Sequence, residues 1–205
     1  MFVTLEGIDR SGKTTQAALL RDALGPNALL LREPGGTGAG EQVRELLKDP
    51  GLELDPRAEL LLFCAARAQL CAGVIRPALE DGRDVVSDRF VDSTVAYQGV
   101  ARGLGRDSVE ALNAVAIGDC VPDVTVLLRI DPARAVARGQ QRLASGAADG
   151  SDRFEGEGIE LQRAVAAAYD EIASRHPERV AVVDAEGSVE EVRARVMEAV
   201  ERARR

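Results

Sequence analysis

The run Gly7-Ile8-Asp9-Arg10-Ser11-Gly12-Lys13-Thr14 fits the pattern G-x-x-x-x-G-K-[ST]. Its residue types specify phosphate chemistry. Glycines let the backbone curl so that successive N–H groups, and the positive end of a following helix, point at phosphate oxygens. Lys13 adds a mobile cation for the β- and γ-phosphates, and the Thr14 hydroxyl is placed to ligate Mg2+. With Thr15, residues 7–15 form a candidate site for a nucleoside triphosphate. Lysine is scarce here, since Lys13 and Lys48 are the only two among 26 basic side chains. Asp9 is an unusual residue for such a loop, because a carboxylate repels the nucleotide unless it binds something else.

A phosphate loop specifies a triphosphate and leaves the reaction open. A guanine-reading Asn-Lys-x-Asp is missing, as the only asparagines, Asn27 and Asn113, are not in one. Motor and AAA-type ATPases are usually longer and carry an apolar run ending in Asp-Glu. A small kinase remains, in which the rest of the chain must hold a second substrate. With His176 the only histidine and Cys64, Cys71 and Cys120 forming no CxxC pair, a Ser-His-Asp triad, a His-cluster metal site and a disulfide framework are disfavoured.

The elements that must position these groups are legible from periodicity. Phe2 to Leu5, Ala28 to Leu31, Asp84 to Ser87, Val124 to Ile130 and Val180 to Val183 read as five mostly unbroken apolar strands, the pattern of strands buried on both faces. Helical patterns lie between them with recognisable starts: Asp55-Pro56, Asp131-Pro132, and Ser188 with Glu191 as a capping box. The alternation predicts an α/β fold with a parallel sheet between helical layers, and a ligand crevice beyond the carboxyl ends of the strands. The phosphate loop follows the first strand directly and opens a helix with Ala17, Leu20 and Leu24 on one face.

Length and composition agree. The 205 residues, 45% hydrophobic and 29% charged, suit a single domain spanning 1–205. A net charge of −8 argues against a nucleic-acid partner. No apolar run approaches the roughly 18 to 20 residues of a membrane-spanning helix and no signal-like segment opens the chain, so a cytoplasmic location is expected. Residues 145–158 are rich in glycine and polar residues, and Arg134, Arg138, Arg142 and Arg153 lie before and within them. A mobile phosphate-closing lid over about 138–158 would need such arginines.

Further residues suit a second substrate. Phe63 and Arg67 stand four apart on a predicted helix, which sets an aromatic plane beside a guanidinium able to donate to a base carbonyl, although periodicity alone favours Phe63 as one more core residue in the stripe Leu60, Phe63, Cys64, Leu70. Arg89 follows the third strand at its carboxyl end, where an arginine fork suits a monophosphate dianion.

Four ordered segments carry a resemblance. They are Leu5-Glu6-Gly7-Ile8-Asp9-Arg10-Ser11-Gly12-Lys13-Thr14-Thr15-Gln16, Arg32-Glu33-Pro34-Gly35-Gly36-Thr37, Leu62-Phe63-Cys64-Ala65-Ala66-Arg67-Ala68-Gln69, and Asp88-Arg89-Phe90-Val91-Asp92-Ser93-Thr94-Val95-Ala96-Tyr97-Gln98-Gly99. With Asp152-Arg153-Phe154-Glu155, the chain resembles the thymidylate kinase family over nearly its whole length.

The resemblance implies a phosphate-loop kinase fold, phosphorylation of dTMP to dTDP by ATP with Mg2+, and a homodimer. It implies that Phe63 stacks on the base and Arg67 hydrogen-bonds it, that Arg89 holds the dTMP phosphate, and that Asp9 takes the deoxyribose 3′-hydroxyl. Tyr97 then lies against the 2′ carbon, Glu33-Pro34-Gly35-Gly36-Thr37 forms a wall of the acceptor site that includes Pro34, Thr94 and Gln98 line the pocket, and Asp88 sits near the metal. The charge on the transferred phosphoryl group falls to Lys13 with Arg10 in the loop or Arg153 in the lid; the sequence offers both, with Arg138 and Arg142 as further candidates and Glu155 near the acceptor. Ala66 and Phe90 depart from a common acidic or polar residue and a common tyrosine. A kinase for another nucleoside or nucleoside monophosphate is the alternative.

Overall fold

The computed structural model describes residues 1–144 and 158–205, with side chains described through Gln141 and from Gly158 onward. Five parallel strands form one sheet in the order β2-β3-β1-β4-β5. They are β1 (Phe2–Glu6), β2 (Leu29–Arg32), β3 (Val85–Asp88), β4 (Val124–Arg129) and β5 (Val180–Asp184). Each expected strand is present within one or two residues of its expected ends. The unbroken apolar character follows from position: β1, in the middle, is buried at every residue, whereas β2 at an edge alternates.

The helices are α1 (Lys13–Leu24), α2 (Gly38–Lys48), α3 (Pro56–Leu70), α4 (Arg76–Glu80), α5 (Val91–Thr94), α6 (Arg106–Ile117), α7 (Pro132–Ala144), α8 (Ile159–Arg175) and α9 (Val189–Ala203). Crossovers therefore hold more helices than one per strand pair, which the simple alternation did not separate. π-helical segments Cys71–Ile75 and Val95–Ala101 continue α3 and α5.

Three helix starts form as their sequences require. The side chain of Asp55 accepts from Arg57 N at 2.9 Å, Asp131 accepts from Ala133 N at 2.9 Å, and Ser188 and Glu191 make both halves of a capping box. Thr37, in the Glu-Pro-Gly-Gly-Thr turn, is a fourth, accepting from Gly40 N at 2.9 Å at the head of α2.

The two faces of the sheet have different cores. Val3, Leu5 and Val86 pack on one side with α1, α8 and α9 residues such as Leu20, Val165 and Val196. Phe2 and Val85 point the other way, toward Leu70, Ile75 and Phe90, and the Phe2 and Phe90 rings meet edge to face at 5.0 Å. On the Phe2 face the strand also carries Thr4 and Glu6, both fully buried. That polar row leads to the site.

One continuous helical run, Pro56–Glu80, is 25 residues long and apolar enough to cross a membrane by length and mean hydropathy, which corrects the reading that no run was. It also carries buried Glu59 and Arg67 among its core residues, which a bilayer-facing helix would not.

Candidate active site

A cleft of about 780 Å³ opens beyond the carboxyl ends of β1 and β3, at the point where the strand order switches direction, as such sheets dictate. Asp9 through Gln16 form one wall, so the loop enters as expected with Arg10, Ser11, Gly12, Lys13, Thr14 and Thr15 facing the space. Gly7 and Ile8 lie behind it. Gly7, at φ 140°, packs so tightly on β4 that a Cβ would come within 2.6 Å of the Leu128 carbonyl oxygen, and Ile8 is buried in the core. Their carbonyls accept from Lys13 Nζ at 3.0 and 2.7 Å. Burial pulls the Lys13 ammonium down to about 8, and Arg89 adds to that, against the opposing pull of Asp9, Asp88 and Glu6.

The acceptor-side residues meet the loop in the same cleft. Pro34, Phe63, Arg67, Asp88, Arg89, Thr94, Tyr97 and Gln98 all line it. Tyr97 and Gln98 are carried by the π-helical segment after α5, a local widening that recurs at functional sites.

Asp9 has a definite partner. Its carboxylate takes a charge-assisted hydrogen bond from Arg89 Nη2, and Gln162 on α8 clamps the other side, donating to Asp9 Oδ2 at 2.9 Å while accepting from Asp9 N at 3.1 Å. Burial raises the Asp9 pKa, yet the charges of Arg89 and Lys13 and the Gln162 bond outweigh it and hold the carboxyl below its ordinary value. The acid in the loop is thus balanced by the arginine expected to hold a phosphate.

Arg89 adopts φ 74°, an uncommon conformation for a non-glycine residue. Its guanidinium lies 5.2 Å from the centre of the Tyr97 ring, and its Nη1 donates to Ser93 Oγ at 3.0 Å. Behind it, Glu6 accepts from Ser93 Oγ at 2.6 Å, from Tyr169 OH at 2.8 Å and from Phe90 N at 2.7 Å. Complete burial, with the charge of Asp92 adding, pushes the Glu6 carboxyl up to about 7. Burial likewise raises the Tyr97 and Tyr169 phenols, so both are neutral at ordinary pH.

Arg67 is less open than its sequence position suggests. Its side chain is 1% exposed, and its nitrogens donate to Glu33 Oε2, Asn113 Oδ1, Thr94 Oγ1 and the Phe90 carbonyl. Phe63, one turn earlier, is half-buried and presents to the cleft, as the four-residue spacing predicts. Gln98 donates to Glu59 Oε1 at 2.8 Å.

Thr14 Oγ1 donates to Asp88 Oδ2 at 2.5 Å, which brings together the two residues expected at a metal. A hydroxyl and a carboxylate are hard oxygen donors, the type that Mg2+ takes beside phosphates and water. Among the described residues no group of three His, Cys, Asp or Glu side chains could form a separate metal cage.

Arg138 lines the cleft from α7 and donates to the Ala185 carbonyl at 3.0 Å. The Arg142 side chain, Arg153 and Glu155 lie outside the described residues, as does most of the 138–158 segment. Ser93, Gln162, Tyr169 and Glu6 are site residues that sequence reasoning left unassigned, whereas Glu33 falls in the turn 33–37 expected as a wall of the acceptor site. Glu6 and Ser93 sit inside the motif segments 5–16 and 88–99, which is a signal for them, whereas Gln162 and Tyr169 lie outside every motif.

Residues 5–196 match the family model described as thymidylate kinase. A thymidylate kinase of Syntrophotalea carbinolica is 46% identical over 199 residues, covering 95% of this chain and 92% of that one. One from Desulfosudis oleivorans is 45% identical over 207 residues, covering 98% and 97%. The crystal structure of thymidylate kinase from Ehrlichia chaffeensis superimposes with a TM-score of 0.76 at 33% identity, covering 98% of both chains.

Proposed function

The chain belongs to the thymidylate kinase family, and on that premise we propose that it transfers the γ-phosphoryl group of ATP to the phosphate of dTMP, giving dTDP and ADP. The observation that carries the reading is the shared cleft. The phosphate-loop residues Asp9–Thr15 and the acceptor-side residues Phe63, Arg67, Arg89 and Tyr97 line one space, as in-line transfer between two bound nucleotides requires.

An acceptor phosphate is already ionised near neutral pH, so no general base is needed. Positioning and neutralisation of charge carry the reaction. Lys13 moves from the loop carbonyls to the ATP phosphates, and Arg10 supports it from the same wall. Arg89 holds the dTMP phosphate through its fork, whose Nη1 is oriented by Ser93, itself held by Glu6 and Tyr169. Asp9, held below its ordinary pKa, accepts the 3′-hydroxyl. Phe63 stacks on the thymine, Arg67 donates to a base carbonyl, and Tyr97 closes the sugar's 2′ side, with Pro34, Thr94 and Gln98 around them. Mg2+ would be held by Thr14 and Asp88 with phosphate oxygens, supplying charge neutralisation at the β- and γ-phosphates.

We read residues 1–205 as a single domain, supported by the one five-stranded sheet, and the location as cytoplasmic, where its nucleotides are. A homodimer is supported by neighbouring α3 and α6, which present Leu61 at 54% and Val115 at 84% exposure. Light scattering checks this, and Leu61→Lys should give a monomer.

Incubation with ATP, Mg2+ and dTMP, read by chromatography, tests the activity. Equal amounts of dTDP and ADP are expected; ADP without dTDP overturns it.

A further inference from the structure

Arg10 occupies the left-handed backbone region, φ 65°, in the phosphate loop. Its side chain crosses to α7 and lies where the Cβ of residue 139 would be. A Cβ on Gly139 would come within 2.2 Å of Arg10 Nε, 2.3 Å of Cδ and 2.5 Å of Cζ. No carbon can share that space.

Nothing in the backbone calls for glycine there. Gly139 is an interior residue of α7 and has no positive φ. Glycine at such a position costs about 1 kcal/mol relative to alanine. What the missing side chain supplies is room for the Arg10 stem and guanidinium, at the wall where Arg10, Arg138 and Gln141 line the cleft together.

We propose that Gly139 is the seat of Arg10, a positioning residue on α7 that sets where the loop arginine carries its charge. The inference rests on the reading that Arg10 neutralises charge on the transferred phosphoryl group. A side chain at 139 displaces the far end of a flexible arginine and leaves the fold intact, so stability and catalysis should part.

Gly139→Ala is therefore expected to keep or raise the melting temperature while lowering kcat for dTMP roughly tenfold to a hundredfold with little change in KM. In an Arg10→Ala background the same substitution should change kcat by less than about twofold. The Arg10 Nε–H resonance in 15N-labelled protein, identified by its loss in Arg10→Ala, should shift in Gly139→Ala. An unshifted resonance overturns the seat, as does kcat within about twofold of wild type in Gly139→Ala while Arg10→Ala is impaired, or an equal loss in both backgrounds. Full kcat in Arg10→Ala with a shifted resonance overturns the catalytic reading of Arg10 instead, and with it the positioning role.

Discussion

Arg67 on α3 and Glu33 just past the end of β2 are joined twice: Nε and Nη2 of the arginine donate to the same oxygen, Oε2, at 2.8 and 2.6 Å. Their side chains are 1% and 4% exposed. Burial raises the Glu33 pKa and Arg67 lowers it, so the carboxylate depends on the arginine for its charge. Nη1 donates to Asn113 Oδ1 at 2.6 Å.

Arg67→Ala should then do two things. It leaves Glu33 buried and unpaired, with an expected loss of about 3–5 kcal/mol in stability, and it raises the dTMP KM. Replacing both partners, Arg67→Met with Glu33→Leu, removes the unpaired charge and should recover part of the stability, the remainder being lost with the donor to Asn113, Thr94 and the Phe90 carbonyl, without recovering the KM. Thermal unfolding and steady-state kinetics on both variants separate the roles; a dTMP KM restored in the double variant would remove Arg67 from base recognition.

Arg89→Lys keeps a positive charge but loses the fork, the Asp9 partner geometry and the ring contact with Tyr97. The KM for dTMP should rise roughly tenfold to a hundredfold, in line with about 1.5–3 kcal/mol for a charge-assisted hydrogen bond. ATP affinity, measured by calorimetry, should hold.

Glu6 makes a pH signature. Its folded pKa of about 7 exceeds its ordinary 4.5, so the native state keeps a proton that the unfolded chain releases. This group's contribution is full below pH 4.5 and is lost as pH rises through 7. Glu6→Gln should flatten stability across that window in denaturant titrations, and an unchanged slope would refute the assignment.

Tyr97→Ser should relax discrimination against the ribonucleotide. The ratio of kcat/KM for dTMP to that for ribo-TMP should fall about tenfold, the scale of a group lost from a shaped pocket.

The sequence exposed what is local. Five apolar runs marked the strands, and Asp55, Asp131 and Ser188 marked helix starts because a cap needs only its own next few residues. Motif spacing placed Lys13, Thr14 and Phe63. What stayed hidden joins distant positions: Gln162 clamping Asp9, Tyr169 bonding Glu6, and Gly139 under Arg10. Such pairs have no spacing to read, because α7 and α8 reach the loop only through the packing of the whole sheet. Burial of Arg67 was hidden for the same reason, since the stripe Leu60, Phe63, Cys64, Leu70 beside it has the period of ordinary core.

The most direct measurement is ADP release from the purified protein with ATP and Mg2+ across dTMP, dUMP, dCMP, dAMP, dGMP, UMP and thymidine. The account predicts strong release with dTMP and little with the purine and cytosine nucleotides or thymidine. ATP binding with no acceptor-dependent release, or release with thymidine but not dTMP, would contradict it.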